Sequence, residues 1–139
     1  MPTFRWRLLG NRDLPQVQAI AAEVHPGLFE DAEVFAERLR LYPLGARLLD
    51  VEGRASGYVI SHPWRLESLP LLNSLLGALP ASANTYFVHD LALLPHMRGT
   101  GAAALIVNDI VAHARKEAFS AVSLAAVNGS VLEQARLCR

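Results

Sequence analysis

The sequence predicts an α/β domain in which helices flank one mixed β-sheet, and three observations support this. Strand-like and helix-like segments alternate along the chain in the order β-α-α-β-β-β-α-β-α. An early hairpin turn separates two strand-like segments, whereas a long helical segment later connects two others. The chain has 139 residues, of which 52% are hydrophobic, and this is enough for a single domain over residues 1–139.

The first half of the chain is predicted to contain a strand, two helices and a hairpin. Asp13 can cap the first helix, and His25-Pro26-Gly27 ends it. Asp31 begins the second helix, whose apolar residues recur on one side. Glu52-Gly53 supplies the hairpin turn. The predicted bounds are 3–8 for the strand, 13–24 and 31–41 for the helices, and 46–51 and 55–60 for the hairpin strands.

The second half is predicted to contain a long loop followed by two strands, each of which precedes a helix. The loop is rich in proline and leucine, and a short helical piece is expected within it. Asn128-Gly129 turns the chain, and Ser130 can cap the last helix. The predicted bounds are 61–83 for the loop, 71–76 for its helical piece, 84–94 and 121–127 for the strands, and 99–117 for the longest helix.

Composition excludes several classes of protein. The formal net charge is zero, unlike the basic surface of a nucleic-acid-binding protein. The single cysteine, Cys138, allows neither an internal disulfide framework nor a cysteine-based zinc site. Apolar runs are too short to span a membrane, and the N-terminus lacks the apolar core of a signal peptide. We therefore expect a cytoplasmic protein with no metal, nucleic-acid or membrane partner.

The most informative segment is a glycine turn between a strand and a helix. An apolar run ends at Pro95, and Arg98-Gly99-Thr100-Gly101 follows before the longest helix. The unpaired N–H groups and positive dipole end of a helix start suit a phosphate or pyrophosphate. Glycines that only end a strand and start a helix are the alternative, since such a turn alone is a weak signal.

The turn resembles the Arg/Gln-x-x-Gly-x-Gly/Ala signature of the GNAT superfamily of acyl-CoA-dependent N-acetyltransferases. Arg98-x-x-Gly101-x-Ala103 matches that signature. The preceding residues 91–95 resemble the strand end that the family places before it, and the predicted order of elements is similar over nearly the whole chain.

The resemblance implies that acetyl-CoA is the cosubstrate and that its groove follows this strand and turn. The pantetheine arm would pair with the strand like an added strand, and the turn would wrap the pyrophosphate. The backbone N–H of Leu93 would be the oxyanion donor. Asn128 would contact the cofactor arm, although a turn residue in Asn-Gly is an equal alternative. The implied cofactor-binding residues are Leu91, Ala92, Leu93, Arg98, Gly99, Thr100, Gly101, Ala102, Ala103 and Asn128.

His89 is the candidate general base for acetyl transfer to an amine. Histidine titrates near neutrality, and some arylalkylamine-type members of the superfamily resemble this chain in having a histidine at the corresponding position. Strand alternation is expected to place His89 on the same face as Leu91 and Leu93. Asp90 would then point away unless a bulge redirects it. A core histidine bonded to a backbone carbonyl is the alternative reading.

The acceptor pocket is less well marked. Its weaker candidates lie near the end of the first helix and near the end of the hairpin's second strand, where each could equally be a surface or packing residue. They are Glu23, His25, Tyr58, His62 and Trp64. The expected acceptor is a primary amine of a small molecule, peptide or protein, and the apolar loop mildly favours a hydrophobic one.

The sequence departs from the superfamily pattern in two places. Many relatives carry a tyrosine, the acid for the leaving thiolate, where this chain has Ala135. The usual C-terminal strands are not recognisable, which would leave an open sheet edge. A truncated or frameshifted chain, a natural short variant, and a dimer that covers the edge are the alternatives, and self-association into a homo-oligomer is the hypothesis. An acetyltransferase is the first hypothesis, a CoA-binding module without efficient turnover the second, and a domain without a ligand the third.

Overall fold

The computed structural model describes residues 3–125 and 132–136, which form one mixed sheet flanked by helices. The sheet has six strands in the order β1-β2-β3-β4-β5-β6. Strands β4 and β5 are parallel, and all other neighbouring pairs are antiparallel. The elements are β1 (Phe4–Leu8), α1 (Leu14–Val24), α2 (Ala32–Leu41), β2 (Ala46–Val51), β3 (Arg54–Trp64), β4 (Thr85–Leu93), α3 (Ala102–Lys116), β5 (Ala121–Ala125) and β6 (Leu132–Arg136).

The helices cover opposite faces of the sheet. Val17 and Ile20 of α1 pack with Phe35 of α2 against Tyr58 and other residues of one sheet face. On the other face, Ile106, Ile110 and Ala114 of α3 pack against β3, β4 and β5. The crossover from β4 through α3 to β5 is the connection that a parallel pair requires. The prediction of a mixed α/β sheet flanked by helices is therefore confirmed.

The predicted last helix is wrong, because residues 132–136 form β6. The backbone of β6 pairs antiparallel with β5, which supplies partners for an otherwise open edge. The strand that follows β5 was therefore not predicted from the sequence. Ser130, the predicted cap of the last helix, lies outside the described residues. Self-association remains a prediction, although the edge beside β5 on which it depended is occupied by β6.

Two local predictions also need correction. The helical piece predicted at 71–76 is irregular chain with a turn, held by contacts to α2 rather than by helical hydrogen bonds. Asp13 precedes α1 but does not cap it with its side chain. Its carboxylate instead accepts two hydrogen bonds from Arg7, each 2.9 Å long, and one from the N–H of Gly10. A bidentate, charge-assisted pair outweighs a single helix-cap bond.

None of the helices among the described residues combines the length and the hydropathy needed to cross a bilayer.

Candidate active site

Strand β4 continues beyond the last residue that pairs with β5. We call the edge of β4 from His89 to Leu93 the fork, because no strand lies beside this edge among the described residues. The parallel pairing of β4 with β5 covers only Tyr86 to Val88 on β4, opposite Val122 to Leu124. The rest of β4, as far as Leu93, pairs only with β3 among the described residues. The N–H of Leu94 donates to the carbonyl of Ser56, which precedes Gly57, the residue of β3 that pairs with Leu93. Since successive N–H groups point to opposite edges of a strand, those of Leu91 and Leu93 face the fork.

The glycine turn lies directly after the forked end of β4. Gly99 has φ +77° and Gly101 has φ +89°, a left-handed conformation that side chains disfavour. A Cβ built on either glycine would meet no atom within 4 Å, so open space lies outside this backbone. Helix α3 starts at Ala102, immediately after Gly101. The N–H groups of Gly99, Gly101 and Ala103 have no acceptor among the described residues, which suits an oxygen-rich anion.

Buried residues fix the turn against the sheet. The side chain of Met97 and that of Ala102 pack with Leu49 and Val51 of β2. Trp6 of β1 donates from Nε1 to the carbonyl of Ala102 over 2.9 Å. These anchors hold the backbone at both ends of the turn while Gly99 and Gly101 stay exposed. Trp6 and Met97 were not predicted from the sequence, because neither belongs to the signature. Both are of a residue type that is often buried, and both lie close to the signature in the fold.

A β-bulge at His89 decides which side chains meet at the fork. Ile60 pairs with Asp90 and Ser61 with Val88, so His89 has no counterpart on β3. The extra residue places both His89 and Asp90 on the α1–α2 face of the sheet. Leu91 and Leu93 pack instead in the clusters on the α3 face. The expectation that His89 shares a face with Leu91 and Leu93 is therefore wrong.

The first polar pair at the fork is Glu30 with His89. Glu30 Oε1 lies 2.8 Å from His89 Nε2, and both side chains are almost fully buried. The other carboxylate oxygen, Oε2, accepts the N–H of Asn73 from the long loop. Burial alone would raise the pKa of Glu30, but the hydrogen bonds from His89 and Asn73 outweigh it and hold that pKa below its usual 4.5. A carboxylate that orients an imidazole in this way is the arrangement expected of a general base.

The second pair is His25 with Asp90. His25 Nε2 lies 2.8 Å from Asp90 Oδ1, and the hydroxyl of Tyr58 donates to Asp90 Oδ2. The hydrogen bond to Asp90 raises the pKa of His25 above its usual 6.5, against the opposing effect of burial. Burial and the carboxylate of Asp90 raise the pKa of Tyr58, so its hydroxyl keeps the proton that it donates. Asp90 thus joins α1, β3 and β4 in one network.

The long loop between β3 and β4 is bonded to α2 next to the Glu30–His89 pair. Glu37 accepts the N–H groups of Leu76 and Gly77 at 2.6 and 3.0 Å. The buried Arg38 bonds Glu37 and the carbonyl of Ser74 through Nη1, while its Nε and Nη2 have no partner among the described residues. The loop is therefore attached to α2 beside Glu30, and this attachment could not be predicted from residues 61–83 alone.

Two of the predicted site residues, His62 and Trp64, form hydrogen bonds outside the two polar pairs. His62 is buried, its Nδ1 bonds the Pro63 carbonyl, and burial lowers its pKa to about 4. Trp64, the last residue of β3, donates from Nε1 to the carbonyl of Ser68. Glu23 is exposed on α1. Arg98 is exposed beside the turn, and Asn128 lies outside the described residues. The structure brings together His25, Tyr58 and His89, whereas Glu30, the carboxylate partner of His89, was not among the sequence candidates.

The sequence pattern of the acetyltransferase (GNAT) family matches residues 14–136. The chain belongs to this family. The match includes the glycine turn, both polar pairs and the strands of the fork, so the GNAT resemblance noted in the sequence is confirmed. No curated protein sequence matches the chain.

Several solved GNAT structures share this fold at low sequence identity. The loading GNATL domain of CurA from Lyngbya majuscula is 15% identical, with a TM-score of 0.76 over 88% of this chain and 64% of that domain. A GNAT acetyltransferase from Brucella melitensis in complex with acetyl-CoA is 13% identical, with a TM-score of 0.66 over 100% and 91%. Naa50 from Arabidopsis thaliana, in complex with the bisubstrate analogue CoA-Ac-MVNAL, is 14% identical, with a TM-score of 0.64 over 87% and 70%. At these identities the likeness shows the fold alone.

The raised pKa of His25 predicts that its pairing with Asp90 stabilises the fold more at acid than at alkaline pH. A raised folded-state pKa contributes stability that is complete below the unfolded pKa of about 6.5 and is lost as the pH rises through the folded value. His25→Gln keeps a donor for Asp90 but cannot ionise. We expect the wild type to have a higher free energy of unfolding than this variant, and the difference between the two to be larger at pH 5.5 than at pH 8.5. Urea unfolding at both pH values measures this, and an equal difference at both would contradict the assignment.

Proposed function

We propose that the protein transfers an acetyl group from acetyl-CoA to a primary amine. One observation carries this proposal. The end of β4 leads from the fork directly into the glycine turn, and the Glu30–His89 pair lies beside the fork. Two of the GNAT structures that share this fold contain acetyl-CoA or a CoA-linked bisubstrate analogue, which supports the choice of cosubstrate.

The groove fits acetyl-CoA in two respects. The forked edge of β4 offers backbone groups to the amide-containing pantetheine arm, as an edge strand does to an added strand. The exposed N–H groups and open space at Gly99 and Gly101 fit a pyrophosphate. When bound, acetyl-CoA supplies a thioester whose carbonyl carbon is open to a nucleophile.

The residues at the fork supply the proton chemistry of the transfer. A neutral amine forms the new C–N bond while the C–S bond breaks and the thiolate departs. His89 accepts the proton that the amine nitrogen gives up, and Glu30 orients and stabilises the resulting imidazolium. The N–H of Leu93 is the donor for the thioester oxygen as negative charge develops there. We propose that water protonates the departing thiolate, since Ala135 stands where many relatives carry the tyrosine acid.

A CoA-binding module without efficient turnover is the second candidate, and Ala135, at the position where many relatives carry a tyrosine, favours it. One experiment separates the two. Acetyl-CoA is titrated calorimetrically into the protein, and thiol release is then followed with alkyl, aralkyl, polyamine and peptide amines. Saturable binding with amine-dependent thiol release supports the transferase. Saturable binding with no release for any amine supports the module, and no binding overturns both.

A further inference from the structure

The bulge in β4 lies next to a carboxylate that joins three elements of the fold. Asp90 Oδ1 lies 2.8 Å from His25 Nε2 at the end of α1, and Asp90 Oδ2 accepts a hydrogen bond from the hydroxyl of Tyr58 on β3. We infer that Asp90 is a positioning residue, which fixes the place of the bulge and thereby sets which backbone N–H groups of β4 face the fork. The inference rests on the proposed function, to which it adds a residue that acts through the backbone.

The place of the bulge can vary in principle, because β4 pairs with β3 in two registers. Residues 57–60 of β3 pair with 93–90 of β4, whereas residues 61–64 pair with 88–85, one residue out of step. A displaced bulge extends one register at the expense of the other. Each residue of β4 that changes register turns its side chain to the other face of the sheet and its N–H to the other edge of the strand. The place of the bulge therefore controls both the side chains and the backbone donors at the fork.

A bulge displaced towards the start of β4 would turn His89 away from Glu30. His89 would then oppose Ser61, whose hydroxyl bonds that of Tyr86 on the α3 face. The displacement would break the buried 2.8 Å contact between Glu30 and His89 and leave a carboxylate without that partner. The Glu30–His89 pair therefore opposes displacement in this direction.

A bulge displaced towards the end of β4 would turn Asp90 to the α3 face. Asp90 would then oppose Val59, which is buried in the apolar cluster on that face. The carboxylate would lose its hydrogen bonds to His25 and Tyr58, and an unpartnered carboxylate in an apolar cluster is costly. Residues 91–93 are all hydrophobic, so their polarity does not distinguish the two registers. Asp90 is therefore the side chain that opposes displacement in this direction.

The same displacement would change the backbone donors that acetyl-CoA meets. In the structure the N–H of Ala92 lies on the β3 side of the strand, whereas those of Leu91 and Leu93 face the fork. After the displacement the N–H of Ala92 would face the fork and that of Leu93 would point to β3. The thioester oxygen would then lose its proposed donor, and the pantetheine arm would meet an edge shifted by one residue.

Amide hydrogen exchange, followed for single residues by NMR in the free protein, tests the inference without turnover. In the wild type we expect the N–H of Ala92 to be protected and those of its two neighbours to exchange faster. Asp90→Ala removes both hydrogen bonds that fix the bulge. It should speed exchange of the Ala92 N–H about tenfold or more relative to the part of β4 that pairs with β5, because residues 90–93 then open or change register.

Acetyl-CoA titration and single-turnover thiol release add the functional readouts. Asp90→Ala should lower kcat about tenfold or more and weaken acetyl-CoA binding as well, because both depend on the register of the edge. Asp90→Asn removes the charge, but its amide can accept from Tyr58 and donate to a neutral His25. It should restore the wild-type exchange pattern, affinity and rate. Unchanged exchange or unchanged acetyl-CoA affinity in Asp90→Ala overturns the inference, and so does an Asp90→Asn variant that behaves like Asp90→Ala.

Tyr58→Phe keeps the test decisive if Asp90→Ala does not fold, since it removes only one of the two hydrogen bonds. Its matched control is Tyr86→Phe, which removes an equally buried hydroxyl that bonds Ser61 on the other face of the sheet. Only Tyr58→Phe should speed exchange at Ala92, and equal behaviour of the two variants overturns the inference while the proposed function stands. If the wild type fails to bind acetyl-CoA or releases no thiol with any amine, the proposed function fails, and the exchange measurements alone decide the role of Asp90.

Discussion

Gly101→Glu is expected to abolish measurable acetyl-CoA binding, with a loss of at least about a hundredfold in affinity. The new carboxylate would project into the open space outside the turn, where the pyrophosphate is expected to lie. It would repel that group and block the N–H groups at the start of α3. The left-handed φ of +89° adds a backbone strain of about 1–2 kcal/mol. Isothermal titration of wild type and variant with acetyl-CoA measures the loss.

Gly53→Glu is the matched control for this substitution. Gly53 has φ +86°, and a Cβ there also meets nothing within 4 Å, but it lies in the β2–β3 hairpin turn. The two variants therefore share the added charge and similar backbone strain. Thermal unfolding should show comparable destabilisation, while only Gly101→Glu loses acetyl-CoA. Retained binding in Gly101→Glu, or an equal loss in both variants, would contradict the assignment of the turn.

The turn could be predicted from sequence because its constraints are local. Gly99 and Gly101 adopt backbone conformations that few other residues accept, and Pro95 and the apolar periodicity of α3 mark its flanks. The hairpin turn was equally accessible, since β2 has the predicted bounds, Ala46–Val51. The second hairpin strand was predicted to end at residue 60, whereas β3 continues to Trp64. In these segments the residues that determine the local structure are adjacent to one another in the sequence.

The polar pairs at the fork could not be predicted because they depend on the bulge and on a distant segment. Regular alternation assigns His89 to the face of Leu91, and a bulge of one residue in β4 reverses that assignment. Glu30 lies in the connection between α1 and α2, fifty-nine residues before His89 in the chain, and no local spacing relates the two.

His89→Ala is expected to lower kcat about a hundredfold or more, because loss of a positioned general base costs about 10²–10⁴ in rate. Glu30→Gln should cost less, since it weakens the base without removing it. Acetyl-CoA affinity should be unchanged in both variants, because neither side chain belongs to the glycine turn or the backbone edge of β4. Single-turnover thiol release and acetyl-CoA titration measure the two quantities separately.

Added imidazole distinguishes a catalytic His89 from a structural one. The alanine variant leaves space beside Glu30, whose carboxylate can orient a free imidazole as it orients the side chain. Rescue of thiol release by millimolar imidazole, with a rate that rises as imidazole loses its proton, is the expected result. Glu33→Gln, at an exposed position in the first turn of α2, is the control for Glu30→Gln and should keep the wild-type rate. If His25→Gln loses the rate and His89→Ala keeps it, the base is the imidazole that pairs with Asp90, and the roles of the two pairs are reversed.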